Sequence, residues 1–412
     1  MLGICRVQPS RRVAIKTASL VGVLPKRLED LKSELKILLC LDHPHVVRLL
    51  DVYVSDEKLE MVMECMQGGE LKRSGRFHME EEEAAGLLQQ MLLALSYLHS
   101  HGVVHRDLKL SNFMFSRDRQ ILKLIDFGLS KFYAHPEGRD SLVMQTCCGT
   151  LGYAAPEVFD ATYTSQCDTW SLGVITYFLL SGEMPFFDTD EDALIAKTQR
   201  GEYAMKSDSW MSLSLEAMDF TQALLRVDPE KRMTAAEALQ HPWLKAFAPR
   251  GVKDVSHSIL EEIGQFAEQT PLRRCFRRLI AISLEDEQTQ ELREAFLHMD
   301  VHKRGKITAA QLEKILTQRL DWDPRKARDA TRALDFTGDN SVHFSEFLAA
   351  TYPTYKSEES LLRATFRRLD REAKGHVNLD DLHAIGWREL RVDSGSKLLE
   401  WLQASAGIAG HQ

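Results

Sequence analysis

One stretch of this sequence sets a carboxylate among cations: His105-Arg106-Asp107-Leu108-Lys109, with Asn112 five positions after the aspartate and Asp126-Phe127-Gly128 beginning nineteen positions after it. The carboxylate of Asp107 can orient a hydroxyl and accept its proton if it lies within hydrogen-bond reach. Lys109 adds a positive charge nearby. Asn112 and Asp126 offer hard oxygen atoms suited to magnesium, which takes few protein ligands and keeps several of its waters. A base, a charge-neutralising lysine and two magnesium ligands in this order are what transfer of a phosphoryl group from ATP to a hydroxyl requires.

These side chains must be positioned by regular elements. Upstream, Val13-Ala14-Ile15-Lys16 reads as an apolar strand ending in a cation. Pro25 suits the first turn of a helix whose apolar stripe is Leu28, Leu31, Leu35 and Leu38. Glu34 projects from the edge of that stripe, and Lys16 is its natural partner. Residues 1–247 mix short β-branched runs near the start with longer helical patterns later, which predicts a small sheet-rich lobe (1–66) followed by a larger helical lobe (67–247). Pro249-Arg250-Gly251 breaks that pattern. A helical stretch from about Ser256 to Ser283 follows, with Arg273, Arg274, Arg277 and Arg278 at helical spacing, and predicts a basic junction over 248–284. Beyond it lies a repeat: Asp300, Asp335 and Asp370 are 35 residues apart, each followed seven residues later by a β-branched residue, Ile307, Val342 or Val377.

Composition narrows the classes of function. With 412 residues and 44% apolar side chains the chain can build several packed cores. A net charge of −8 and a pI near 6.0 argue against nucleic acid as the main partner. The longest apolar run, Leu172 to Leu180, is too short to span a membrane and reads as a buried helix. Met1-Leu2-Gly3 begins neither a signal peptide nor an N-myristoylation signal. The seven cysteines show no zinc or disulfide spacing, so a reduced, cytoplasmic setting is expected.

Taken together, residues 1–247 resemble a serine/threonine protein kinase domain, and the whole chain resembles the calcium-dependent protein kinases, with a junction and calmodulin-like EF-hands. The resemblance implies an α+β, two-lobed protein kinase fold followed by an all-α EF-hand domain over 285–412. It implies ATP and Mg2+ as cofactors, with Lys16 and Glu34 holding the α- and β-phosphates. It puts the hinge at Glu64-Cys65-Met66, Met63 as gatekeeper, and Ala14 and Met114 on either side of adenine. Lys109 and Thr150 fit the serine/threonine pattern, so the expected partners are protein substrates bearing Ser or Thr. Glu70 resembles the acid that reads an upstream basic residue. Leu110-Ser111 stand where related kinases have Pro-Glu, which weakens the expected basic preference. Arg106 is the expected clamp for a phosphate on Thr146.

Further departures from the family lie in the phosphate loop and the calcium loops. The glycine-rich loop that should precede the strand of Lys16 is not in the sequence, so the expected fold lacks its first strand and that loop, as in a sequence incomplete at both ends. The alternative is a catalytically impaired pseudokinase or scaffold with an EF-hand interaction module.

The repeat aligns with EF-hand loops, which need oxygen ligands at positions 1, 3, 5, 9 and 12, a carbonyl at 7 and glycine at 6. The loop 300–311 has His302, Arg304 and Gln311 at positions 3, 5 and 12, which argues against calcium. The loop 335–346 keeps Asp335, Thr337, Asp339, Ser341 (through its carbonyl) and Glu346, with Asn340 at the turn, and is the best Ca2+ candidate. The loop 370–381 has Glu372 and Gly375 but Lys374 at position 5 and the shorter Asp381 at 12. A fourth loop would begin near Ser405, and the sequence stops at Gln412. By resemblance, the junction helix occupies or braces the kinase domain until the EF-hand module moves it.

Overall fold

The apolar run before Lys16 forms a strand, as its β-branched content favours. The computed structural model describes residues 2–4, 12–71, 79–133, 149–160, 164–247 and 255–353, with isolated positions from 359 to 375. Backbone contacts divide the chain into two compact units, Met1–Cys65 with Val252–Gln412, and Met66–Gly251.

The first unit begins with β1 (Leu2–Ile4), β2 (Arg12–Ser19), α1 (Pro25–Cys40), β3 (Leu49–Val54) and β4 (Lys58–Glu64). The strands form a sheet in the order β1-β2-β4-β3, antiparallel throughout. The register pairs Ala14 with Met63 and Lys16 with Met61. Pro25 occupies the first turn of α1, where its missing N–H costs nothing. Leu28, Leu31, Leu35 and Leu38 are buried, and the neighbouring Glu34 is only 2% exposed.

The second unit runs through β5 (Gly69–Glu70), α2 (Glu81–Ser100), β6 (Val103–Val104), β7 (Phe113–Phe115), β8 (Leu122–Leu124) and β9 (Lys131–Phe132). Short helices follow, α3 (Pro156–Phe159), then α4 (Gln166–Ser181), α5 (Glu191–Arg200), α6 (Asp208–Met211), α7 (Leu215–Leu224), α8 (Ala235–Ala238) and α9 (Pro242–Ala246). Glu81, Glu82 and Glu83 lie in the first turn of α2, where the helix dipole favours anions. The apolar run noted in the sequence lies in α4, which is buried almost all round, as a helix without a polar face should be. Trp170 on this helix stacks on Phe186 with ring centroids 5.4 Å apart.

The first unit resumes with α10 (His257–Ala267), α11 (Pro271–Ser283), α12 (Gln290–Met299), β10 (Lys306–Thr308), α13 (Ala309–Leu320), α14 (Pro324–Leu334), β11 (Ser341–His343) and α15 (Phe344–Thr351). Its core gathers Ile263, Phe266, Phe296, Leu316, Leu334 and Phe347. Strands β10 and β11 pair the first and second repeat loops antiparallel, Ile307 opposite Val342.

The helical stretch expected over 256–283 is built as two helices, α10 and α11. Thr270 caps α11, its hydroxyl accepting from Arg273 N, and Pro271 follows as the first helical residue. A proline there removes an N–H and disfavours helical geometry in the residue before it, so the chain breaks and restarts. The arginines at helical spacing on α11 differ in burial. Arg273 is exposed, but Arg277 and Arg278 are 4% and 6% exposed. Arg277 Nη2 donates to Tyr352 O at 2.8 Å and Ala350 O at 3.2 Å, satisfying carbonyls that the end of α15 leaves without helical partners. Its guanidinium lies over Phe266, and that of Arg278 over Phe336 at 4.1 Å. Burial pushes the Arg277 pKa down, with Glu262 opposing.

Among the described residues, side chains of Asp42 and Arg48 join the sheet region to the helical module within this unit. Asp42, just after α1, accepts from Ser345 N at 3.1 Å and Ser345 Oγ at 2.6 Å in the first turn of α15. Arg48 Nη1 donates to Ala281 O and Ile282 O, both at 3.2 Å, near the end of α11.

Candidate active site and calcium loops

In the second unit the catalytic-loop residues sit between β6 and β7, where the chain makes no ladder and must be held by side chains. Asp168, in the first turn of α4 and fully buried, does this. Its carboxylate accepts from His105 N and Arg106 N, each at 2.8 Å, and lies 3.0 Å from His99 Nε2. Burial raises the pKa of Asp168, but the hydrogen bond and charge of His99 and the contacts of His105 outweigh it, so the pKa is lowered overall. Arg106 is thereby fixed at φ 70°, a left-handed conformation uncommon outside glycine. His105 is buried beside Phe127, ring centroids 5.4 Å apart, and burial lowers its pKa.

Asp107, Lys109, Asn112 and Thr150 form one connected cluster. Lys109 Nζ donates to Asp107 Oδ2 at 2.7 Å and to Thr150 Oγ1 at 3.0 Å. Thr150 gives both its backbone N–H and its hydroxyl to Asp107 Oδ1, at 3.0 and 2.9 Å. Gly149 takes φ 110°, and a Cβ there would meet Arg106 O at 2.8 Å, so the approach of Thr150 requires glycine before it. Asn112 Nδ2 donates to Asp107 O at 2.7 Å. That bond fixes the amide and turns its oxygen end to other partners, which suits a hard-ion ligand. Asp126 Oδ1 accepts from Gly128 N at 3.1 Å. In the same unit Arg232 grips Glu157 with two hydrogen bonds of 2.6 and 2.9 Å. Met114 pairs with Glu70 across the β5–β7 ladder, and Met66 is buried. Arg106 Nε donates to Leu129 O at 2.5 Å, while Thr146 lies outside the described residues.

In the first unit Lys16 Nζ meets Glu34 Oε1 at 2.5 Å. Ala14 and Met63 are cross-strand partners at the same end of the sheet. The Glu64 side chain accepts from Arg48 N at 2.7 Å, the residue that also bonds α11.

All three repeat loops share one turn. Gly305, Asn340 and Gly375 occupy the sixth position with φ of 70°, 57° and 78°. The first aspartate of each accepts from that residue's N–H: Asp300 from Gly305, Asp335 from Asn340, Asp370 from Gly375. The remaining ligand positions differ. In the first loop Gln311 Oε1 accepts from Thr308 N and Oγ1, so position 12 caps α13. Its Asp300 is buried, which raises its pKa, and Lys303 reaches back to Leu297 O. That loop does not fit a calcium ion. In the second loop Glu346 accepts from Phe336 N, Thr337 N and His343 N at 3.0, 3.2 and 2.8 Å, and burial raises its pKa. Asp339 Oδ1 accepts from Thr337 Oγ1 and Ser341 N, while Oδ2 lies 3.2 Å from both Lys306 Nζ and His343 Nε2. The hard-oxygen donor set and the left-handed turn fit calcium, although Asp339 and Glu346 are engaged by internal partners. Among the described residues no group of three or more His, Cys, Asp or Glu side chains is gathered as around a metal ion. Glu372 and Asp381 of the third loop lie outside the described residues.

Sequence reasoning missed His99, Asp42, Arg48, Lys306 and His343. The partners of His99, Asp42, Arg48 and Lys306 come from distant segments, and no local spacing marks them. Position 9 of the second loop, His343, carried the one readable signal, because an EF-hand expects oxygen or water there.

Among the described residues no helix is long and apolar enough to cross a membrane. The family model described as protein kinase domain matches residues 3–244. Over 367 residues the chain is 34% identical to calcium-dependent protein kinase 21 of Arabidopsis thaliana, covering 86% of this chain and 67% of that protein. It is 34% identical to calcium-dependent protein kinase 7 of the same plant over 382 residues, 90% of this chain and 70% of the relative. Calcium-dependent protein kinase 3 of Plasmodium berghei (strain Anka) matches at 31% over 368 residues, 87% of this chain and 65% of that protein.

Proposed function

The chain belongs to the calcium-dependent protein kinase family and is a serine/threonine protein kinase, and from that membership we propose how its residues divide the work. The pseudokinase alternative is not favoured. The observation that carries the reading is the Asp107, Lys109 and Thr150 cluster, with Asn112 braced on Asp107 O.

Asp107 orients the substrate hydroxyl of a Ser or Thr and takes its proton. Lys109 neutralises the γ-phosphoryl oxygens as charge develops there, which is where fixed cations help most. Asn112 and Asp126 are the residues that would hold magnesium, whose charge supports the transferring phosphate. Lys16, set by Glu34, holds the α- and β-phosphates. Ala14, Met63, Met66 and Met114 line adenine, and the backbone at Glu64 and Met66 bonds it. Thr150 positions the substrate segment, and Glu70 reads an upstream basic residue. Arg106 receives a phosphate on Thr146. The Arg48 and Ser345 hydrogen bonds support an intramolecular route from the EF-hand module to the sheet region. The second loop, with Asp335, Thr337, Asp339, Ser341 and Glu346, takes calcium weakly.

The test is magnesium-ATP phosphate transfer to a basic serine peptide by the 412-residue chain, with and without calcium. Asp107→Asn should cut turnover by about 10²–10⁴-fold, the usual worth of a positioned base. Equal rates in the two proteins would overturn the assignment of Asp107.

A further inference from the structure

We infer that Lys306 is a built-in competitor for the second calcium loop, a cation supplied by the neighbouring loop that an incoming calcium ion must displace from Asp339. The inference rests on the reading of the second loop as a calcium site and adds to it what sets its affinity.

The placement follows from the ladder between the two loops. Strands β10 and β11 put Lys306 directly opposite His343. Side chains directly opposite in an antiparallel pair stand side by side on one face. Both reach the same atom, Asp339 Oδ2, each at 3.2 Å. The other oxygen, Oδ1, is held by Thr337 Oγ1 and Ser341 N. Asp339 stands at the fifth position, where an EF-hand gives its carboxylate to the ion. The donor at that position is therefore already committed, on one oxygen to a fixed positive charge. His343 needs no charge for its part, since a neutral ring N–H can donate.

The chemistry of the ligand decides what this lysine does. A partly exposed ion pair contributes little to folding. The Lys306 side chain is 29% exposed and that of Asp339 37%. A divalent ion on Asp339 would face the same ammonium as a like charge a few ångströms away, and that repulsion opposes binding directly. Asp335 and Glu346 keep their carboxylates, so the site retains the means to bind, at lower affinity.

The experiment is calcium titration of the full chain by calorimetry, at fixed ionic strength, for the wild type, Lys306→Gln, Lys306→Met and Lys306→Arg. Neutral replacement should tighten the Kd about tenfold, while Lys306→Arg, which keeps the charge, should stay within about twofold of wild type. In Asp339→Asn the Lys306→Gln change should lose most of its effect, as expected of two residues that act through one contact. Circular dichroism in a chelator checks that each variant is folded, and Lys306→Met serves if the glutamine variant is not. Wild-type binding with neutral variants of equal or weaker affinity overturns the role of Lys306 alone. Absence of calcium uptake by wild type and neutral variants alike, at millimolar calcium, overturns the calcium reading of the loop as well.

Discussion

Asp107 and Asp339 are both carboxylates beside a lysine, at 2.7 Å from Lys109 and 3.2 Å from Lys306, and the two pairs have opposite consequences. At Asp107 the proposed ligands are an anion and a hydroxyl. In the proposed mechanism the γ-phosphoryl group of ATP draws Lys109 and the hydroxyl of the protein substrate draws Asp107, so the two substrates use the two halves of the pair. At Asp339 the proposed ligand is a cation, to which the lysine would be a rival. On these proposals the same pair of side-chain types is cooperative machinery in one unit and a barrier in the other, and the sign of the ligand makes the difference. The scaffolds differ too. Asp168 holds the catalytic loop from a fully buried position, whereas the second EF-hand loop is held by its own ligand carboxylates, which calcium would have to recruit.

The largest expected effect tests that scaffold. Asp168→Ala strands the N–H groups of His105 and Arg106 and the ring of His99 around a cavity. Removing one partner from a buried charged network costs about 3–5 kcal/mol, so thermal melting should move down sharply and phosphate transfer should fall with it. A variant that melts like wild type would show that the catalytic loop does not depend on Asp168 and would end the contrast between the two regions.

Arg277 sharpens the comparison on the calcium side. Arg277→Ala leaves Ala350 O and Tyr352 O without their donor, a loss of about 2–3 kcal/mol given that hydrogen bonds from charged groups are worth roughly 1.5–3. A solvent-exposed arginine without such partners would cost no more than about 0.5 kcal/mol. Chemical denaturation followed by a probe in the helical module separates the two values.

The clustering of Asp107, Lys109 and Asn112 was legible because it is local. Asp107, Lys109 and Asn112 share one loop, and their spacing is itself the chemical requirement. The α1 stripe was legible for the same reason, since burial of Leu31, Leu35 and Leu38 follows from helical period, and Glu34 follows from them. The turn of the second loop was readable from Asn340. The commitments of its ligands were not. Lys306 and Asp339 meet through a β-ladder between two loops, and Asp42 and Ser345 meet across 303 positions. Pairings of that kind come from tertiary packing and leave no periodic trace. The helical spacing of the α11 arginines was legible and their partners were not: the orphan carbonyls at the end of α15 hold Arg277, and Arg278 lies over Phe336.

The smallest effect separates turn geometry from ligand competition. Asn340 holds φ 57° and its N–H bonds Asp335 Oδ2 at 3.0 Å. A left-handed conformation costs an ordinary L-residue roughly 1–2 kcal/mol, and asparagine less. Asn340→Ala should therefore lower module stability by about 1 kcal/mol, with Asn340→Gly near wild type because glycine adopts this turn without steric cost. Loosening the turn also loosens Asp335, so Asn340→Ala should weaken calcium uptake as it lowers the melting temperature. Lys306→Gln should weaken the unliganded module slightly while strengthening uptake. Opposite signs in the two variants would separate a loop whose shape is ready for calcium from ligands that are held elsewhere; matching signs would mean that shape and ligand commitment are one property of the loop.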